Sequence, residues 1–262
     1  GLKVMICEKA CTLAAASPKG DAVVMDAVSH LVKLAPQRKA EWRSLLLRIY
    51  RKQYATAQGP QRIAAGEKLV RELVSLGDAC VADGEATRAV GYYREAGGIT
   101  ARVRSKRRNE IVGKMKSATA MIKIEKKLTA LKDTVKADPA DAAARKELIL
   151  VYLLELDDAV TAAKLLDDTL DDALKTNVPL AAMAVADLGA DDCLSLMNWY
   201  RSLAASSTDR VRTAVACRRV EDYAAAFRSQ HAAQDIKRLK ARVAETDAGK
   251  KLKELGAVSL PS

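Results

Sequence analysis

Apolar positions along this chain recur every three or four residues, the spacing of amphipathic helices, and no clean run alternates as a strand would. The longest pattern covers 99–137, through ARVRSKRRNE, IVGKMKSATA and MIKIEKKLTA, where Met121, Ile124, Leu128, Leu131 and Val135 form one stripe. With no proline and one glycine, Gly113, it predicts a single helix, roughly 58 Å long at the α-helical rise. A helix of that length is expected to connect two packed halves, 1–98 and 138–262, rather than sit inside one.

Four helices are expected before the Gly-turned segment at 83–98 that precedes it. Leu2–Ala16 carries Leu2, Met5, Ile6, Ala10 and Leu13 on one side. Ser17-Pro18-Lys19-Gly20 breaks it, and Asp21 caps a second helix that ends before Pro36. A third, near Arg38–Ala57, carries Trp42, Leu45, Leu46, Ile49 and Tyr50; after a Gly59-Pro60 break, Gln61–Ala82 follows along Ile63, Leu69, Val70, Leu73 and Leu76. Asp83-Gly84 then turns the chain into EATRAVGYYREAGG, which Gly97-Gly98 is expected to stop.

Beyond the long helix, Asp138-Pro139 punctuates and Asp141 is placed to cap ARKELILVYLLEL. Asp157-Asp158 leads into AVTAAKLL. Asp167 with Asp171, and Asp168 with Asp172, would repel on one continuous helix, so a break is expected near Thr169. Pro179 should open a short helix, and Gly189-Ala190-Asp191 should cap DCLSLMNWYRSLA. Ser206–Asp209 separates that from VRTAVACRRVEDYAAAFRS, with Tyr223 and Phe227 on one face. A basic last helix near Ala232–Glu245 and a frayed tail, GAVSLPS, complete about ten helices.

Composition sharpens the class to all-α. Of 262 residues, 49% are apolar but only 4% aromatic, so the apolar content is chiefly Ala, Leu and Val among helix-forming Lys, Arg and Glu. The longest uncharged run, Thr176–Ala186, is about half of what a membrane-spanning helix needs. GLKVMICEKACTLAAAS carries Lys3, Glu8 and Lys9 and reads as an amphipathic helix rather than a signal peptide; a start at Gly1 leaves room for a leader or anchor removed earlier. The five cysteines, with no CxxC pair, read as small buried apolar residues.

Two stretches carry a motif. In ADGEATRAVGYYREAG a small residue and then an aromatic follow a Gly turn, as in a tetratricopeptide hairpin, and DPADAAARKELILVYLLELDDAVTAAKLL restarts the same helix–turn–helix plan. With the charged 99–137 helix and DYAAAFRSQHAAQDIKRLKARV, this layout resembles the tetratricopeptide-like helical regions of large multi-domain planctomycete-type bacterial proteins, over about Arg43 to Leu255. The resemblance implies helical hairpins in two lobes and a non-enzymatic, partner-binding or spacer role. It carries over no functional residue, because the family offers no motif for them; Leu148-Ile149 and Tyr152 only roughly replace the Trp, Leu-Gly and Tyr of its repeats.

Candidate chemistry is sparse. There is no GxSxG, no P-loop and no calcium-loop spacing. His30 and His231 stand outside any catalytic motif, His30 at the edge of a core, and the acidic doublets read as helix caps. No catalytic residue, metal or cofactor is assigned. Charge is uneven: residues 100–136 hold 12 Lys and Arg against 3 Asp and Glu, whereas 137–210 hold 6 against 14. The densest basic run is Arg102, Arg104, Lys106, Arg107 and Arg108. A solvated helix face is its first reading and docking on the acidic half or an acidic partner its second. Nucleic acid ranks last, since no aromatic interleaves the run to stack on bases.

The expected function is protein–protein scaffolding, with a passive spacer as the alternative. Candidate contact residues are Tyr92, Tyr93, Trp199, Tyr200, Tyr223 and Phe227. Neighbours on a helix point about 100° apart, so one member of Tyr92-Tyr93 and of Trp199-Tyr200 should be the more exposed.

Overall fold

A computed structural model describes residues 1–15, 20–230 and 235–256. Every regular element among them is helical, so the chain is all-α. Packing divides it into two units, 1–122 and 123–262.

Unit 1 begins with α1 (Leu2–Ala15), α2 (Asp21–Leu34), α3 (Lys39–Thr56) and α4 (Gly59–Ala82). Gly20 occupies the cap position of α2, with Asp21 as its first helical residue, and a 3₁₀ turn at Pro36–Arg38 leads into α3. Ser17, Pro18 and Lys19, expected as a break, lie outside the described residues. Gly59-Pro60 is the first turn of α4 and not a separator, a position where the missing proline N–H costs nothing. Two apolar cores result. Cys11, Val24, Val28, Leu31, Trp42 and Ile49 form one between α1, α2 and α3; Leu69, Val70, Leu73, Tyr93, Ala96 and Ile99 head the other.

The continuous helix expected over 99–137 is two helices. α5 (Ala86–Val103) runs straight through Gly97-Gly98, and α6 (Arg108–Ala137) starts afresh. Glycine in a helix costs about 1 kcal/mol and does not by itself end it. What ends α5 is Arg104, in the left-handed region at φ 52°, whose N–H bonds back to the Thr100 carbonyl. Ser105 donates to that carbonyl too, and its hydroxyl accepts from the Arg107 N–H. The first half of α6 contributes Ile111 and Ala118 to the unit 1 core, and its second half lays Leu128, Leu131 and Val135 against the unit 2 core.

Unit 2 continues with α7 (Ala142–Leu154), α8 (Ala159–Ala163), α9 (Asp172–Ala181), α10 (Ala190–Ser206), α11 (Arg210–Gln230) and α12 (Asp235–Leu255). The acidic doublets cap as expected: Asp141 accepts from the Ala144 N–H, Asp158 from Thr161 and Asp171 from Leu174, each at 2.9 Å. Asp167 accepts from both the N–H and the hydroxyl of Thr169, at the expected break. Two expectations are corrected. α8 is five residues long, not a full second helix, and Pro179 lies inside α9 rather than opening a helix. One carbonyl of α9 thereby loses its donor, and the helix ends two residues later.

Candidate functional site

The six candidate aromatics are placed by two hairpins, and five of them are buried. Tyr93 projects from α5 onto Gly77 of α4, where even a Cβ would come within 2.5 Å of its ring. Its hydroxyl donates to Asp78 Oδ1 at 2.6 Å, and Lys114 Nζ reaches the same oxygen at 2.7 Å. Burial and that hydrogen bond push the Tyr93 phenol well above its ordinary range. Burial also pushes the Asp78 carboxyl up, but Lys114 and the phenol outweigh it and hold Asp78 below its usual value. Tyr92, one position earlier, is half-buried at the edge of the same core. This pair follows the expectation of one inner and one outer member.

Trp199 and Tyr200 do not follow it: they are 9% and 1% exposed. α10 packs against α9, α11 and α12, so two directions 100° apart both meet protein. The rings of Tyr200 and Tyr223 stack at 5.7 Å between centroids, and Trp199 meets Tyr200 edge-on at 5.0 Å. Burial pushes the Tyr223 phenol up to about 12. Phe227 is fully buried one turn on. These side chains fill the space between helices and offer no surface.

The basic run is split by the α5–α6 junction. Arg102, Arg104, Lys106 and Arg108 are exposed, whereas Arg107 is half-buried and bidentate to Glu110 at 3.0 Å. Further along α6, Lys127 bonds Glu147 at 2.9 Å and Glu155 at 2.8 Å. Arg212 of α11 holds the same two carboxylates at 2.5 and 2.6 Å. Burial would raise the Glu147 carboxyl, yet Arg212 and Lys127 hold it below its usual range. Two cations and two carboxylates thus neutralise one another beside a groove of about 320 Å³ lined by Leu150, Leu154, Leu203 and Ser206. The arrangement is a structural tie within unit 2, with no charge left over for a ligand.

No group of three or more His, Cys, Asp or Glu side chains gathers as a metal site among the described residues. Burial raises the thiols of Cys11, Cys80, Cys193 and Cys217, so they act as small apolar groups, while Cys7 is only half-buried. His30 is exposed, 3.9 Å from Asp26, rather than set at a core edge; His231 lies outside the described residues. No described helix is long and apolar enough to cross a membrane.

The feature not anticipated is the outer face of α1. The side chains that turn inward are Val4, Cys7, Ala10, Cys11 and Ala14. Leu2, Met5, Ile6 and Leu13, the stripe that hydrophobicity alone would bury, face solvent. The signal lay in LKVMICEKACTLAA itself, which is apolar on nearly every side and has more than one face to cover.

No family model matches the chain, and neither a curated protein nor a solved structure matches it.

Proposed function

We propose that this chain is a non-catalytic, tetratricopeptide-like module of helical hairpins that holds another protein through the outer face of α1. One observation carries the reading: Leu2, Met5, Ile6 and Leu13 are 68%, 59%, 58% and 67% exposed along a single helical stripe. A helix with apolar residues on opposite faces ordinarily has both covered, and exposed apolar surface of this kind marks a contact site. Lys9 stands exposed within the stripe, between Ile6 and Leu13, and Lys3 stands exposed beside it, while Glu8, the one acid of α1, is held by Arg38. The complementary partner is an apolar helix flanked by Asp or Glu; a second copy would set lysine against lysine. The passive-spacer reading draws on the burial of Tyr93, Trp199, Tyr200, Tyr223 and Phe227, which removes the aromatic surface as a contact site.

The test is lysine-directed crosslinking of the wild-type chain in its native extract, beside an Ile6→Glu/Leu13→Glu variant, with the linked peptides sequenced by mass spectrometry. The expected result is a link from Lys3 or Lys9 to an acidic, apolar helical segment of another protein, lost in the variant at unchanged helicity. Links only to a second copy, adsorption to acidic vesicles instead of protein, or identical links in both proteins would overturn it. No link at all leaves the spacer.

A further inference from the structure

A second region of unit 1 carries positive charge with no carboxylate partner among the described residues. A cavity of about 450 Å³ is lined by Tyr54 at the end of α3, by Gly59, Arg62 and Ile63 in the first turns of α4, and by Arg102 and Val103 at the end of α5. Three observations converge there. First, Tyr54 is 93% buried (7% exposed), and its hydroxyl has no hydrogen-bond partner. An unsatisfied buried hydroxyl is costly and rare, and it asks for an acceptor.

Second, the N-terminus of α4 has no side-chain cap and no acid in its first turn. Pro60 brings no N–H to that turn and the Arg62 N–H bonds the Gln58 carbonyl at 3.3 Å, so Gly59 supplies the open N–H on the cavity wall; the charged residue placed in that turn is Arg62, the wrong sign for the position. Third, neither Arg62 nor Arg102 has a carboxylate partner among the described residues; Arg62 lies over the Tyr54 ring, 5.2 Å from its centroid. Arg102 faces the carbonyl end of α5, which offsets part of its charge. The surplus therefore comes from Arg62 and the α4 terminus together. The arrangement inverts that of α7, α8 and α9, where an Asp closes each N-terminus.

We propose that this cavity binds a phosphate-sized oxyanion, either free phosphate or the phosphate group of a monoester. Its oxygens would accept from the Tyr54 hydroxyl, the Arg62 and Arg102 guanidiniums and the Gly59 N–H at the start of α4. The Tyr54 hydroxyl is itself closed off from solvent, and the Arg62 side chain lies over the phenol ring, so a ligand that reaches the hydroxyl displaces that flexible group. Ile63 and Val103 supply an apolar rim. This site is separate from the α1 face, and neither proposal depends on the other.

The test is a ³¹P NMR titration of the full chain with inorganic phosphate and, in a second arm, phosphoserine, at a constant ionic strength of about 150 mM so that screening does not vary. Saturable one-site binding is expected. Tyr54→Phe and Arg62→Gln should each weaken it about tenfold, the loss of one hydrogen bond to a charged group. Arg108→Gln, which removes an exposed charge of the basic run outside the cavity, should change it less than about twofold. Circular dichroism checks that each variant keeps its helicity. Tighter binding of phosphoserine assigns the site to a monoester; equal binding assigns it to the free ion. Absence of saturation by either probe up to about 50 mM, far above the Kd of a weak specific site, would overturn the proposal. So would unchanged binding in Tyr54→Phe and Arg62→Gln, or an equal loss in Arg108→Gln, which would reduce the effect to general charge.

Discussion

Two pairs of adjacent aromatic residues, Tyr92-Tyr93 on α5 and Trp199-Tyr200 on α10, begin from the same local geometry and end in different places. On α5 the inner tyrosine locks into a glycine socket on α4 and the outer one stays at the edge. On α10 both members are buried, because further helices close in from a second side. The number of neighbours a helix has, and not its own periodicity, decides whether one or two of its faces become core. α1 is the opposite extreme, with apolar residues on two faces and only one of them covered.

The comparison can be broken most directly by truncation. Tyr200→Ala removes a side chain that is 1% exposed and stacked on Tyr223, and should cost about 4 kcal/mol in urea unfolding followed by circular dichroism. Tyr92→Ala, at the half-exposed edge, should cost less than about 1 kcal/mol by the same measurement. Equal losses would mean that both pairs sit in equivalent surroundings.

The glycine socket gives a sharper and smaller contrast. Gly77→Ala drives a methyl into the Tyr93 ring, itself 2% exposed and tied to Asp78, and overpacking of this kind should cost about 2 kcal/mol. Gly98→Ala on α5 meets nothing within 4 Å and should stabilise by about 0.5–1 kcal/mol, since it relieves only the helix-propensity penalty. Thermal midpoints moving in opposite directions would bear this out.

An effect of comparable size belongs to the caps that distinguish unit 2 from the open start of α4. Asp171→Ala should lose about 1 kcal/mol at neutral pH. The Lys146 ammonium and the Leu174 N–H hold the Asp171 carboxyl below its ordinary range. A carboxyl with a folded pKa below its unfolded value adds stability above the unfolded value, about 4, and loses it as pH falls through the folded one. The wild type should therefore weaken on acidification below pH of about 4, and the variant should show a shallower acid limb. An identical acid limb in both proteins would show that the cap carries no such charge.

The helical class, most helix centres and the Asp caps were legible in the chain, because they rest on interactions within a few residues. Apolar spacing marks a helix, and an Asp reaches its own N–H three positions on. Boundaries at Gly97-Gly98 and Pro179 were misread for the complementary reason. A glycine or proline biases the local backbone by only about 1–3 kcal/mol, which packing across a hairpin can override. The bind between Tyr93 and Gly77, sixteen positions apart, has no local signature at all.

The candidate sites divide along the same line. The sequence by itself determined that α1 is a helix with Leu2, Met5, Ile6, Ala10 and Leu13 on one side and that Arg102, Arg104, Lys106, Arg107 and Arg108 form one basic run. Only the tertiary structure decided that Leu2, Met5, Ile6 and Leu13 are the uncovered side, and that Arg62 and Arg102 line one cavity with Tyr54, whose hydroxyl has no partner. Exposure and the pairing of charges are properties of what lies across a helix, and residues far apart in the chain set them.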